Sequence, residues 1–263
     1  AAQASSRPTP RAQSQGGPYE AAWVRMSRGG AICSQRPEPG QVAAPAREVR
    51  LLCYGDSITA GYPSFRPYGA ALVDELAKAG VSADVTWCGL CGATAQQMAE
   101  GLQEEYAMDL CGRMGQGLRL MLKDRGPFDM AIIMAGTNDL LDRAGAEEVF
   151  MSFWRLLKAC QASGVRAVAI APPDFSEGAL PEGQKAVRGQ IAAKLSEWAA
   201  QTGEDTCLFV DSAQLLPHSP QTKGAGHWER DGIHYSPTGS EKFAAGLALL
   251  VLPALQGGVS SGP

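Results

Sequence analysis

The chain contains 263 residues, of which 45% are hydrophobic and 19% are charged, and its formal net charge at pH 7 is −4. This length suits one large domain or two small ones, and the composition is typical of a soluble globular protein. The small negative charge gives no reason to expect nucleic acid or an anionic membrane surface as a partner. No apolar run approaches the ~18–20 residues that span a bilayer, so no integral membrane segment is expected.

Residues 1–47 are rich in Pro, Ser, Gln, Gly and Arg and show no sustained periodicity. Such a segment buries too little apolar surface to offset the entropy of ordering it, so we expect disorder, with Trp23 and Val24 as the residues best suited to dock on the body. An Arg-rich, acid-poor composition also fits an organelle transit peptide, although a plain tail is the preferred interpretation. A secretory signal core is not visible at the start of the sequence.

The seven cysteines are an odd number, so at least one is unpaired within the chain. Several of them lie in apolar runs, where a free cysteine behaves as a small hydrophobic residue. They favour a reducing compartment, cytoplasmic or organellar. The cysteines are Cys33, Cys53, Cys88, Cys91, Cys111, Cys160 and Cys207.

From Glu48 onward, strand patterns alternate with helix patterns. The predicted strands cover residues 49–54, 81–88, 129–135, 165–171 and 206–210. The predicted helices cover residues 68–79, 94–106, 113–124, 146–162, 184–201 and 237–250. Strands that alternate with helices of ten or more residues favour a parallel sheet with right-handed crossovers. We therefore predict an α/β fold, a three-layer α/β/α sandwich around a mostly parallel five-stranded sheet, in one domain at 48–255 with a frayed tail at 256–263.

Polar turns follow three of these strands: Gly55-Asp56-Ser57, the run from Gly89 to Gly92, and Gly136-Thr137-Asn138-Asp139. The carboxyl ends of parallel strands share one edge of a sheet, so these side chains are expected to converge in one crevice. Far downstream, Asp231 precedes His234 by three residues, just before the last predicted helix. Asp56 and Asp139 are interpreted as turn-forming residues that steady their loops.

These residues are the parts that acyl transfer requires. A serine nucleophile needs a base near neutral pKa within hydrogen-bond reach, and Ser57 and His234 suit these roles. Asp231 can accept a hydrogen bond from the other ring nitrogen and fix the tautomer. For the oxyanion, the candidate donors are the backbone N–H groups of Ser57 and Gly92 and the side-chain amide of Asn138.

The four blocks resemble those of the SGNH hydrolase superfamily, the GDSL-type esterases and lipases, and they stand in the family's order. Ile58 replaces the usual Leu of the serine block, and Trp87 and Cys91 stand where relatives often have Asn and Ser. The resemblance covers roughly 48–250. It implies a flavodoxin-like fold, a Ser57–His234–Asp231 triad, Gly92 and Asn138 in the oxyanion hole, and hydrolysis of carboxylic esters without a cofactor.

Three further residues are candidates for substrate binding, each with a structural role as the alternative. Tyr62 and Arg66 follow the nucleophile in a Pro-containing loop, and His227 precedes the Asp231 loop. No metal is expected: Cys88-x-x-Cys91 has no second ligand pair at the required spacing, and only three histidines exist.

These residues are compatible with several functions. The substrate of an esterase on this site is expected to be a small-molecule, glycan or lipid ester: a short-chain acyl ester, an acetylated sugar or a lysophospholipid. A thioesterase or an acyltransferase would use the same residues. Transfer to an alcohol acceptor is open because a dry site slows water relative to other nucleophiles. A non-catalytic binding module and a metal-dependent deacetylase are weaker alternatives. The sequence does not indicate an oligomeric state.

Overall fold

The structure, a computed structural model, describes residues 23–26 and 47–257. Its strands are β1 (Trp23–Met26), β2 (Val49–Gly55), β3 (Ala83–Gly89), β4 (Ala107–Met108), β5 (Met114–Gly115), β6 (Met130–Met134), β7 (Arg166–Ala171) and β8 (Cys207–Asp211). Its helices are α1 (Ser57–Ala60), α2 (Tyr68–Lys78), α3 (Ala95–Glu100), α4 (Leu118–Asp124), α5 (Thr137–Leu141), α6 (Ala146–Ala162), α7 (Gln184–Thr202), α8 (Ser212–Leu215), α9 (Pro220–Gly224) and α10 (Pro237–Gly257).

The main sheet has the strand order β1-β3-β2-β6-β7-β8. Five of these strands run parallel, from β3 across to β8, which confirms the predicted parallel α/β sheet. The sixth strand, β1, pairs antiparallel with β3, Trp23 opposite Cys88 and Met26 opposite Val85. The prediction of disorder therefore does not hold for these four residues. The rest of residues 1–46 and residues 258–263 lie outside the described part of the chain, and α10 extends through the first two residues of the predicted frayed tail.

The strands bury side chains on both faces, because each successive residue points to the opposite side. On one face, Leu52 and Tyr54 of β2 join a core built with α3, α4, α6 and α7. On the other face, Leu51 and Cys53 pack with α2 and α10. This two-sided burial explains why β2 and β6 are continuous apolar runs rather than alternating ones.

Helix α10 is the one helix in the described residues that is long and apolar enough to cross a membrane by length and composition, over Pro237–Gln256. Its inner side is part of the second core, with Phe243, Leu247 and Val251 fully buried. Such a helix also passes this test as the core helix of a domain, which is how it packs here against α2.

The helices predicted over 94–106 and 113–124 are shorter than expected. Helix α3 ends before Gly101, and a small hairpin of β4 and β5 occupies the space before α4. The hairpin turn is held by the Asp109 carboxylate, which accepts hydrogen bonds from the N–H groups of Cys111 (2.9 Å) and Arg113 (2.8 Å). A side chain that binds the backbone in this way competes with helix formation, which is why the helical pattern failed here.

The order in which the chain adds strands to the sheet reverses at β2. The chain passes from β2 to β3 on one side, and then returns across β2 to β6 on the other. In open α/β sheets, the crevice at the carboxyl end of such a strand is where ligands bind. Ser57 lies at that end.

A partly buried ion pair fixes the carboxyl ends of β7 and β8. The guanidinium of Arg188 in α7 contacts the Asp211 carboxylate and also donates to the carbonyl oxygen of Pro172 (3.0 Å). The side chains of Arg188 and Asp211 are 10% and 20% exposed, so removal of one partner leaves a poorly solvated charge.

We expect Arg188→Met to lower the free energy of unfolding by about 2–4 kcal/mol, because the Asp211 carboxylate loses its counter-ion and the Pro172 carbonyl loses a donor. Urea unfolding measures this change. Lys194→Met is the matched control on the same helix, since Lys194 pairs with Glu147 at the surface and such pairs contribute less than about 1 kcal/mol. Equal effects from the two substitutions would contradict the prediction.

Candidate active site

The nucleophile candidate lies on a tight turn between β2 and the short helix α1. Asp56 is the N-cap of α1, and its Oδ1 accepts a hydrogen bond from the N–H of Ile58 (3.0 Å). Ser57 is the first residue of the helix and is 5% exposed. The turn therefore fixes the backbone of Ser57 at the edge of the sheet.

The close approach of the next strand requires a glycine. A Cβ at Gly89 would lie 2.2 Å from the backbone nitrogen of Ala60 in α1. Any side chain at this position would therefore clash with α1. The absence of a side chain lets the ends of β2 and β3 pack directly beside the serine turn. The N–H of Leu90 donates to the carbonyl oxygen of Gly55 (2.8 Å) and joins the two turns.

Ser57, His234 and Asp231 form a continuous line of hydrogen bonds. Ser57 Oγ lies 2.8 Å from His234 Nε2, and His234 Nδ1 lies 2.7 Å from Asp231 Oδ2. The other carboxylate oxygen of Asp231 accepts from the backbone N–H of Ile233 (2.9 Å) and of His234 (3.0 Å). The carboxylate thus anchors both the backbone and the ring of the histidine.

The loop that carries His234 is folded as a narrow turn. The carbonyl oxygen of His234 accepts from the N–H of Glu229 (2.8 Å), and the rings of Trp228 and Tyr235 pack edge to face at 5.0 Å. The N–H of Ser176, in the loop after β7, donates to the carbonyl oxygen of Gly232 (3.0 Å). These bonds fix the backbone at His234 and just before it, and so fix the position of the imidazole beside Ser57.

The two carboxylates beside the serine have opposite electrostatic environments. Burial raises the pKa of Asp231, but the hydrogen bonds from the backbone and ring of His234 outweigh it, and the pKa ends below its usual value. Asp231 is therefore ionised at neutral pH and suited to stabilise an imidazolium. The carboxyl of Asp56 is fully buried, and that burial raises its pKa to about 6.

Gly92 and Asn138 lie on the neighbouring strand ends. Gly92 has a φ of 78°, a conformation that favours glycine. The side-chain amide of Asn138 donates to the carbonyl oxygen of Ala93 (2.8 Å), which ties the asparagine turn to the glycine turn and leaves the second amide hydrogen available. Within residues 47–257, the N–H groups of Ser57 and Gly92 have no hydrogen-bond acceptor.

Asp139 is a structural residue of the same edge. Its carboxylate accepts from the N–H of Ala95 (2.7 Å) at the start of α3. Burial raises the pKa of Asp139, and the hydrogen bond from Ala95, which lowers it, offsets only part of that effect. The supporting role expected from the sequence is consistent with this contact.

The three predicted substrate-binding residues have different surroundings. The ring of Tyr62 packs on the His234 imidazole with 4.9 Å between centroids, so Tyr62 borders the site. Arg66 is exposed and lines a separate surface cavity with Asp74 and Glu241, between α2 and α10. His227 contacts neighbouring loop backbone, its carbonyl oxygen accepting from the N–H of Ser236 (3.0 Å). Only Tyr62 of the three has a described contact with the Ser57–His234–Asp231 line.

The β4–β5 hairpin supplies residues that the sequence did not single out. Leu110 is 86% exposed, and its side chain lies against Gly92, where a Cβ would be 2.2 Å from its Cδ1. The guanidinium carbon of Arg113 lies 4.5 Å from the centre of the Phe65 ring, and Phe65 packs on Tyr62. These residues form a rim from His234 round to Gly92. No motif marked them: Leu110 falls between the helices predicted over 94–106 and 113–124, and Arg113 is the first residue of the second one.

A cavity of about 440 Å³ adjoins this rim. Gly92, Met108 and Leu110 line it, together with the acidic side chains of Glu100 and Glu104. Neither Ser57 nor His234 contributes to its wall. The cavity is therefore beside the serine rather than around it.

The site thus combines an α/β/α fold with a serine, a histidine and a carboxylate at the carboxyl end of β2. The model of the GDSL-like lipase/acylhydrolase family matches residues 53–242. The chain belongs to this family and is an ester hydrolase. Comparison with curated proteins gave no significant match.

Solved structures share the fold at low sequence identity. A carbohydrate acetylesterase family member from Sinorhizobium meliloti is 21% identical, with a TM-score of 0.60 over 79% of this chain and 99% of that one. An inhibitor-bound aryl esterase from M. smegmatis is 20% identical, with a TM-score of 0.59 over 78% and 99%. A family 3 carbohydrate esterase from Clostridium thermocellum is 18% identical, with a TM-score of 0.61 over 80% and 98%.

The buried carboxyl of Asp56 predicts a pH-dependent stability. Because its pKa is raised in the folded protein, to about 6, ionisation destabilises the fold as the pH rises from about 4 to about 6. Asp56→Asn cannot ionise, so its stability relative to the wild type should increase over this window by up to about 3 kcal/mol. Urea unfolding of both proteins at pH 4 and pH 7 measures the change. A difference that stays constant with pH would contradict it.

Proposed function

We propose that this protein cleaves carboxylic esters through an acyl-enzyme intermediate on Ser57, with His234 as general base and acid and Asp231 as its orienting carboxylate. The observation that carries the proposal is the unbroken line of hydrogen bonds from Ser57 Oγ through both ring nitrogens of His234 to Asp231, at 2.8 and 2.7 Å. This geometry is what a serine needs to lose its proton as it attacks.

In the first half of the reaction, Ser57 Oγ attacks the ester carbonyl while His234 Nε2 takes its proton. The tetrahedral intermediate collapses, and His234 returns the proton to the leaving alcohol. Water then attacks the acyl-serine while His234 takes its proton, and His234 returns that proton to Ser57 Oγ as the acid is released. The ionised Asp231 stabilises the imidazolium that forms in both halves.

The negative oxygen of the tetrahedral intermediate requires donors that are fixed in advance. We assign this role to the N–H groups of Ser57 and Gly92 and to the Asn138 amide. The assignment is supported by the position of all three on adjacent strand ends and by the absence of a protein acceptor for the two N–H groups among the described residues. The bond from Asn138 to Ala93 orients the amide before substrate arrives.

The proposed substrate is an ester with a short acyl group, such as an acetylated sugar or another acetyl ester. Leu110 lies against Gly92, and Tyr62 packs on His234. Side chains therefore border a bound ester on two sides, next to the proposed oxyanion donor and next to the proposed base. The proposal is also supported by the similarity in fold to a carbohydrate acetylesterase family member and to a family 3 carbohydrate esterase. A series of p-nitrophenyl esters from acetate to palmitate, run beside acetylated xylan and lysophosphatidylcholine, tests it: kcat/KM should be highest for acetate. A maximum at long chains would refute the short-acyl assignment.

Ser57→Ala should lower kcat for p-nitrophenyl acetate by roughly 10⁴-fold or more, because no nucleophile remains. Ser64→Ala is the matched control, since Ser64 lies in the loop after α1 and donates only to the carbonyl of Gly61. The control should keep wild-type activity and should react at Ser57 with a fluorophosphonate probe. Retained hydrolysis in Ser57→Ala, or no labelling of Ser57 in the wild type, would exclude the mechanism.

Asn138→Ala tests the oxyanion assignment separately. Loss of one donor should lower kcat a hundred- to a thousandfold, about 3–4 kcal/mol of transition-state stabilisation, with little change in KM. Steady-state kinetics with p-nitrophenyl acetate measures both constants, and circular dichroism checks that the fold is kept. An increase in KM alone would instead indicate that Asn138 binds the ground state.

A further inference from the structure

Two thiols lie together beside the glycine turn, outside the proposed catalytic machinery. Cys91 directly precedes Gly92, and Cys111 lies in the β4–β5 turn. The sulfur atoms of Cys91 and Cys111 and a carboxylate oxygen of Asp109 all lie within 4.8 Å of one another. The sequence places these cysteines twenty residues apart, so only the fold of the hairpin brings them together.

The backbone around both thiols is fixed by one carboxylate. Asp109 Oδ2 accepts from the N–H of Cys91 (3.1 Å), and Oδ1 accepts from the N–H of Cys111 (2.9 Å). The N–H of Leu110 donates to the carbonyl oxygen of Cys91 (3.0 Å). With three backbone donors on its two oxygens, counting Arg113, this carboxylate is already engaged in positioning the two cysteines.

The two thiols differ in accessibility. Cys111 is exposed, whereas Cys91 and the other described cysteines, Cys53, Cys88, Cys160 and Cys207, are buried. An exposed thiol meets a dissolved oxidant first, and a neighbouring thiol then resolves the mixed disulfide. Formation of a disulfide requires the two sulfur atoms, which lie within 4.8 Å of each other, to close to ~2.05 Å.

We propose that Cys91 and Cys111 are a reversible disulfide site, oxidised by a small-molecule disulfide such as glutathione disulfide. The Cys111 thiolate attacks the oxidant, forms a mixed disulfide and releases one thiolate. The Cys91 sulfur then attacks the Cys111 sulfur, and its proton ends on the second small-molecule thiolate, which is released as a thiol. Two protein thiols are oxidised by two electrons, and one small disulfide is reduced to two thiols.

The bond would fasten the hairpin to the glycine turn. It would close a loop that contains α3 and would restrict Leu110, which lies between the two turns and against Gly92. Backbone opening of the hairpin should then be slower in the oxidised protein than in the reduced one. This consequence does not depend on the proposed catalytic roles.

The test uses the full chain with Cys33→Ser, so that the remaining six cysteines are those described above. The protein is equilibrated with EDTA in glutathione buffers of increasing disulfide content, trapped by alkylation and analysed by mass spectrometry. Two thiols should be lost together, and the peptide with Cys91 should be linked to the peptide with Cys111. Amide hydrogen exchange over residues 106–113 should slow in the oxidised sample.

Three variants make the result specific. Cys111→Ser should lose no thiols, Cys91→Ala should stop at one glutathione per chain on Cys111, and the buried control Cys160→Ala should oxidise as the parent does. The proposal is overturned if all six thiols stay reduced, if another pair links, or if exchange over the hairpin is unchanged. It is also overturned if, without EDTA, the protein binds one zinc ion per chain that Cys111→Ser abolishes and that prevents oxidation, because the cluster would then be a metal site.

Discussion

The arrangement of the site depends on how closely the ends of β2, β3 and β6 approach one another. The register pairs Gly55 with Gly89 on one side and with Met134 on the other, so three strands end at one level. The turns that follow them carry Ser57, Gly92 and Asn138, and bonds from Leu90 to Gly55 and from Asn138 to Ala93 join these turns at one edge of the sheet. A side chain at Gly55 would lie 2.0 Å from the carbonyl oxygen of Met134, so the strand ends tolerate no bulk there. Packing of the backbone itself sets the distances on which the chemistry relies.

That packing has an electrostatic cost. Asp56 is fully buried to cap α1, and its pKa is raised by that burial. Asp139 is buried to bind the start of α3, with the same direction of shift. Asp231, by contrast, is 39% exposed at its side chain and has a lowered pKa. The three acids near Ser57 thus differ in their tendency to ionise, because they differ in burial and in the hydrogen-bond donors around them. Of the three, only Asp231 has a lowered pKa and also contacts the imidazole.

The parallel sheet and its polar turns could be predicted because they depend on local signals. Apolar runs followed by Gly-Asp-Ser or Gly-Thr-Asn-Asp mark strand ends, and alternation with helices implies parallel pairing. The hairpin at Ala107–Gly115 could not be predicted, because the Asp109 carboxylate holds its turn through the N–H groups of Cys111 and Arg113 and ties it to the distant N–H of Cys91. Strand β1 lay in a polar segment with no periodicity, and its pairing with β3 is a long-range contact. Arg66 follows the nucleophile closely in sequence, yet the loop turns its side chain towards α2 and α10.

Selectivity for substrate therefore has to arise from loops and not from the sheet. The fold is shared with solved structures at about 20% identity. In this chain a series of contacts runs from His234 through Tyr62, Phe65 and Arg113 to the hairpin, whose Leu110 lies against Gly92. Each member lies in a connecting loop, where side chains vary without cost to the core. Because the series joins His234 to the hairpin beside Gly92, a change in the hairpin would act at both ends of the proposed site. A substitution that alters substrate preference and the proposed Cys91–Cys111 disulfide would therefore both act through the hairpin.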